Sequence, residues 1–113
     1  MWNGRIDLID QTVHADFTAH VPGREPFGRE QLRQVITALR AHFDVFSVKP
    51  ELGPIREADL VSGRWTAVAV SAGEASQWVG HSIFRIADGR IHDHWEINSQ
   101  LSGRPFDIAG SGD

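Results

Sequence analysis

His92, His94 and Glu96 fall on every second position of the stretch IHDHWEIN, residues 91–98. On a β-strand, residues two apart point to the same side, so this spacing predicts three titratable groups in a row on one face of a sheet. A carboxyl group with imidazoles beside it can pass protons to and from a substrate in a pocket. The same three side chains also form an N/O donor set of a kind that binds Zn, Fe or Mn. A third possibility is a wet outer face. Metal centres of the His-x-His type on strands draw a further histidine motif from a later strand, and no histidine follows His94 in this chain. The metal-dependent alternative through His92, His94 and Glu96 is therefore the weaker one, and the expectation is an acid/base site with no metal and no cofactor.

Three groups on a strand do chemistry only if a fold shelters them. The chain has 113 residues, 41% of them hydrophobic, which is enough for one domain with a single core. The formal charge of −4 and the lack of any Lys/Arg cluster argue against a nucleic-acid partner. Cysteine is absent, so there is neither a disulfide nor a thiolate metal site. No basic segment with an apolar stretch opens the chain and no run of 18 apolar residues occurs, so no membrane association is expected and a cytoplasmic location is.

Ile6, Ile9 and Val13 stand at helical spacing and predict a short helix near the start. DFTAHV alternates loosely and ends at PGREPFG, a loop by its prolines and glycines. In REQLRQVITALRAHF, Leu32, Val35, Ile36, Leu39 and Phe43 share one helical face, with Arg33, Thr37 and Arg40 on the others. VFSVKPELGPI reads as a strand that Pro50 and Pro54 confine to an edge or a bulge. LVSGRWTAVAVS, QWVGHSIFRI and RIHDHWEIN follow as an antiparallel meander, joined by AGEA and ADGR. Helices first and hairpin-linked strands afterwards indicate an α+β domain with helices on one face of a curved sheet.

The strings WNGRIDLID, HADFTAHVPG, FGREQLRQVITALRAHF, ADLVSGRWTA and GHSIFRIADGRIHDHWEIN, in this order, resemble the SnoaL-like polyketide cyclases of the nuclear transport factor 2-like superfamily. The resemblance implies a cone: a strongly curved antiparallel sheet wrapped around helices, with a ligand pocket at its open end and, in many members, a homodimer. It implies a SnoaL-like domain over residues 1–101 with the first family helix missing; after Leu101 the string SGRPFDIAGSGD, rich in Gly and polar residues, reads as a flexible C-terminal tail over 102–113. Members include cyclases, isomerases, epoxide hydrolases and proteins without catalysis, so the fold does not by itself give a reaction.

The resemblance places an acidic residue at Glu96, facing the pocket and handling protons. Desolvation in an apolar cavity raises a carboxyl pKa toward neutrality, which suits exchange with a carbon acid. His81 is the expected partner. A two-residue turn at Asp88-Gly89 sets it opposite Glu96, whereas a three-residue turn sets it opposite Trp95. His20 and Arg64 match substrate-orienting positions, and Trp65, Trp78 and Trp95 are candidates for a flat wall against a ring-shaped ligand, or for core or interface packing. Where epoxide hydrolases hold an Asp after the arginine this chain has Thr66, and where cyclases have a His after RWTA it has Ser71. With no Tyr in the chain, the oxyanion donor of ketosteroid isomerases has no counterpart.

The expectation is thus a small-molecule pocket performing cofactor-independent proton transfer, such as cyclisation or isomerisation of a carbonyl compound. Glu96 and His81 would be catalytic, and His20, Arg64, Trp65, Trp78 and Trp95 would bind substrate. The alternative is a non-catalytic ligand-binding or dimerisation module.

Overall fold

The computed structural model of the chain describes residues 6–106 and 108. A 3-10 turn at Ile6–Leu8 runs into α1 (Ile9–Thr12), followed by β1 (Val13–His20), α2 (Arg29–His42), β2 (Val45–Glu57), β3 (Leu60–Ser71), β4 (Glu74–Ala87) and β5 (Arg90–Ser102). The strands form one five-stranded sheet in the order β1-β5-β4-β3-β2. All neighbours are antiparallel except β1, which returns to lie parallel to β5. The sheet is therefore mixed rather than purely antiparallel.

The apolar stripe read in α2 is the one buried: Leu32, Ile36 and Leu39 are sealed from solvent. At its start the Gln31 side chain accepts the Gly28 N–H at 3.1 Å, satisfying a donor that would otherwise be lost at a helix end. Leu32 and Ile36 pack with Ile9, Val13, Phe17 and Ala19. One turn further on, Leu39 joins Phe43, Phe46, Ala67, Ala69 and Trp78. The helix thus bridges two clusters lying along the inner face of the sheet.

The meander follows its turn chemistry. Asp88 and Gly89 both have positive φ (53° and 73°), as do Ala72 and Gly73 (52° and 80°), the geometry whose twist matches two-residue hairpins. β2 is an edge strand, and its register slips twice, between Pro50 and Leu52 and between Leu52 and Ile55. Those slips lie beside the two prolines, which cannot donate to a ladder.

Of the segment expected as a tail, residues 102–106 and 108 are described. Gln100 Nε2 donates to the carbonyls of Ser102 and Arg104, its Oε1 accepts the Phe106 N–H, and Trp78 Nε1 donates to the Phe106 carbonyl at 3.2 Å. Phe106 stacks on His42 and Ile108 is buried in the core. One buried indole N–H and one glutamine thus fold the segment back over the sheet. Residues 107 and 109–113, like 1–5, lie outside the described part.

Candidate functional site

Which side of the sheet the polar groups of β5 face depends on one irregularity. Next to the Asp88-Gly89 turn, Ala87 faces Arg90 and Ile86 faces Ile91; one step further Arg85 faces Asp93, so His92 is the extra residue of a bulge. From there Phe84 faces His94, Ser82 faces Glu96 and His81 faces Ile97. Neither register expected from the turn alone is the observed one. The turn has two residues, yet the bulge sets Ser82, not His81, opposite Glu96.

The bulge also divides the His-x-His-x-Glu motif. His94 and Glu96 point to the inner face with Ser82 and Phe84, whereas His92 hydrogen-bonds through Nδ1 to Asp93 at 2.8 Å. The three side chains do not share one face, and the metal reading that joined them loses its geometry.

A cavity of about 300 Å³ opens against the inner face, the size at which small-molecule pockets begin. Its walls are apolar, with Phe46, Val48, Pro50, Leu52, Val61, Trp65 and Phe84, and its polar groups converge from Ser82, His94 and Glu96. Trp65 Nε1 donates to Ser82 Oγ at 2.9 Å, Ser82 Oγ lies 3.1 Å from His94 Nε2, and His94 Nε2 lies 3.6 Å from Glu96 Oε1. Asn98 Nδ2 donates to the other oxygen of Glu96 at 2.8 Å. The side chains of His94 and Glu96 are only 9% and 10% exposed. Phe84 stacks on the His94 ring at 4.5 Å and holds its plane. Burial, with a smaller contribution from the charge of His20, pushes His94 down to about 4, so its imidazole is neutral at neutral pH.

Trp65 can lie flat here because its neighbour on β4 is Gly80: a Cβ at that position would overlap Cζ2 of the indole. The glycine therefore sets the depth of the cavity. We expect Gly80→Ala to expel the indole and cost about 1–3 kcal/mol by overpacking, read as a lower denaturation midpoint in urea with an unchanged slope.

The remaining predicted residues lie elsewhere. His81 is exposed on the outer face. His20 stacks on Trp95 at 5.0 Å and pairs with Asp93 at 3.2 Å, and both rings border a second hollow of about 480 Å³ with Pro22, Arg24, His81 and Ile97, which Glu96 also borders. Burial alone would raise the Asp93 pKa, but hydrogen bonds from His92 and His20, with Arg85 near, outweigh it and hold this carboxyl below its usual value. Arg64 stands at the rim of the first cavity, 3.4 Å from Glu51. Of the three tryptophans, Trp65 lines the cavity, Trp78 is 1% exposed in the core and Trp95 faces outward, so they do not form a common wall.

Ser82 was not foreseen, and His94, read from the spacing as sharing a face with Glu96, was not given a catalytic or binding role. The spacing of His94 two residues before Glu96 was sufficient to place it. Nothing in the sequence marked Ser82, whose importance comes only from register.

Solved structures that share this architecture include the following. IdmH from Streptomyces antibioticus, a candidate polyketide cyclase, is 22% identical, covers 86% of this chain and 83% of its own, and superposes with a TM-score of 0.75. A candidate polyketide cyclase from Acidithiobacillus ferrooxidans is 21% identical, with 85% and 77% covered and a TM-score of 0.72. AclR from Streptomyces galilaeus, a candidate hydroxylase, is 17% identical, with 87% and 68% covered and a TM-score of 0.75. Among curated proteins none matches. At these identities the likeness is one of fold. The family model of the SnoaL-like domain matches residues 1–94, and with the curved sheet around α2 it establishes that this chain belongs to the SnoaL-like family, with the nuclear transport factor 2-like α+β fold.

Proposed function

We propose that the chain binds a carbonyl compound in the cavity between β2 and β5 and moves a proton on it without a cofactor, as in a cyclisation or an isomerisation. The observation that carries this reading is a carboxyl group one-tenth exposed, in a largely apolar cavity, with an imidazole 3.6 Å away. The polyketide cyclase candidates among the structural neighbours support it.

In this reading Glu96 is the general acid/base. Its carboxylate takes a proton from the carbon next to a carbonyl, the C–H electron pair moves into the enolate, and the proton is returned to carbon or to the oxygen of a newly formed alcohol. His94, being neutral, has a single N–H. With that N–H on Nε2, near the carboxylate, Ser82 Oγ accepts from both His94 and Trp65, filling its two lone pairs. Its own hydroxyl hydrogen then points at the cavity and can stabilise the enolate oxygen. This assigns to Ser82 and His94 the partner role first expected of His81. Arg64 at the rim orients a polar substrate group. The test is a screen of diketones and aromatic ketones for turnover and for ligand-induced change in indole fluorescence. Turnover that survives replacement of Glu96 removes the mechanism, and a cavity that binds none of them removes the substrate class.

A dimerisation role is favoured by a separate observation. Ile97 is 69% exposed, Ile83 43% and Val68 39%, and Ile83 and Ile97 flank Trp95 on the outer face of the sheet. Isolated exposed apolar residues are ordinary, but several together on one sheet face mark an association surface. We expect a homodimer through this face, with Ile97→Lys sedimenting as a monomer. A wild-type protein that is monomeric at micromolar concentration would contradict it.

A further inference from the structure

β1 and β5 are out of step at the same level of the sheet. Val13 is paired with Ile91 and Thr18 with Asp93, so residues 14–17 on one strand stand against the single residue 92 on the other. The excess chain carries His14 and Asp16 outward to meet the bulged His92. One donor atom from each of His14, Asp16 and His92 lies within 4.8 Å of the others, and the two imidazole centroids are 4.9 Å apart.

The hydrogen bonds around these rings orient them as ligands. His92 Nδ1 is 2.8 Å from Asp93 Oδ2, and since a carboxylate only accepts, Nδ1 carries the proton and Nε2 presents its lone pair. His14 Nε2 is 3.2 Å from Asp88 Oδ2, so by the same reasoning its proton is on Nε2. Its Nδ1 is then the unprotonated nitrogen, in agreement with its acceptance of the Asp16 N–H at 3.0 Å. Each imidazole is thus held by an aspartate on one nitrogen and basic on the other, the arrangement that fixes tautomer and ring angle around metal-binding histidines. Donor atoms around a tetrahedral ion with bonds of about 2.0 Å lie about 3.3 Å apart. The Asp16 side chain is 81% exposed and free of packing that would stop it closing that gap.

We propose that His14, Asp16 and His92 bind one divalent transition-metal ion of the Zn²⁺ class, stapling the edge strand β1 to β5 where their ladder is interrupted. The donor set of two imidazoles and one carboxylate selects Zn²⁺, Co²⁺ or Ni²⁺ over Mg²⁺ and Ca²⁺, which prefer all-oxygen sites. Binding exchanges the Asp16 N–H bond to His14 for a metal bond, so the turn at residues 14–16 rearranges locally. The cluster lies outside the cavity and involves neither Glu96 nor His94.

The test is titration of the untagged, chelator-treated protein with Co²⁺, followed by visible d–d absorption and calorimetry, with Zn²⁺ as competitor. One ion per chain is expected, displaced by Zn²⁺ and not by excess Mg²⁺. His14→Gln and His92→Gln should each weaken binding at least about tenfold, Asp88→Asn by a smaller factor, and His42→Gln on α2 should leave it unchanged. On the wild-type protein, which needs no variant to fold, paramagnetic Co²⁺ should broaden the ring signals of His14 and His92 first. Absence of binding at millimolar Co²⁺, binding by both His variants as tight as that of the wild type, or selective broadening of other histidines would overturn the assignment.

Discussion

Replacing Glu96 by Gln should lower kcat by about 10²- to 10⁴-fold on any carbonyl compound the protein turns over, the usual range for a general acid/base, while KM changes little. Gln has the same shape and keeps an oxygen for the Asn98 Nδ2 bond, so the fold is not at stake. What it loses is the ability to take and return a proton. Thermal unfolding should accordingly move by a degree or two at most, and substrate-induced quenching of indole fluorescence should persist. Ser82→Ala should cost less in kcat, because it removes the enolate donor and one partner of Trp65 but leaves the base. Equal kcat for Glu96→Gln and the wild type would show that this carboxyl is not the base. Loss of fluorescence quenching together with kcat would mean that Glu96 binds rather than reacts.

Acidification should destabilise the protein well before its ordinary carboxylates titrate. His94 has a pKa of about 4 when folded against about 6.5 when exposed, so between those values the unfolded chain holds a proton that the folded one refuses. Stability must therefore fall as pH drops through 6.5, with the loss complete near 4. The difference corresponds to about 3 kcal/mol, a large part of what a domain of this size has. Urea midpoints at pH 7 and pH 4.5, taken in the presence of a chelator, should reveal this slope. His94→Gln should flatten it while losing some stability at pH 7 through the missing stack on Phe84. Asp93, whose carboxyl is held below its usual value, contributes stability that disappears only at still lower pH, so the two windows separate. An unchanged slope in His94→Gln would show that the buried imidazole is not its source.

The fold was legible because its signals are local. The period of Leu32, Ile36 and Leu39 identifies α2, and Asp88-Gly89 identifies the hairpin, since both are set by residues close in sequence. The two prolines of β2 indicated an irregular edge, and that is where it lies. The return of β1 to run parallel with β5 was not legible, because pairing across some 70 residues leaves no local pattern. The site was half legible. Glu96 and Trp65 do line the cavity, but which way His81, His92 and His94 point depends on whether one extra residue sits in β5. The bulge at His92 meets the displaced His14 segment, a contact between residues 78 apart in sequence that no local pattern announces. The bond from the Trp78 indole N–H to the Phe106 carbonyl likewise joins residues 28 apart in sequence, beyond the reach of any local pattern.

The extra residue at position 92 also affects how residue roles can be transferred between members of this family. Counting from the hairpin tip, a chain without the insertion would reach its inward carboxyl one residue sooner, and every assignment made by distance from Asp88-Gly89 would swap the two sides of the strand. Comparisons should instead be anchored on the Ser82–Glu96 pair and counted back toward the tip, where a one-residue difference is absorbed without disturbing the cavity. A chain that gains or loses the residue at the bulge can then keep the same cavity-facing positions on this strand.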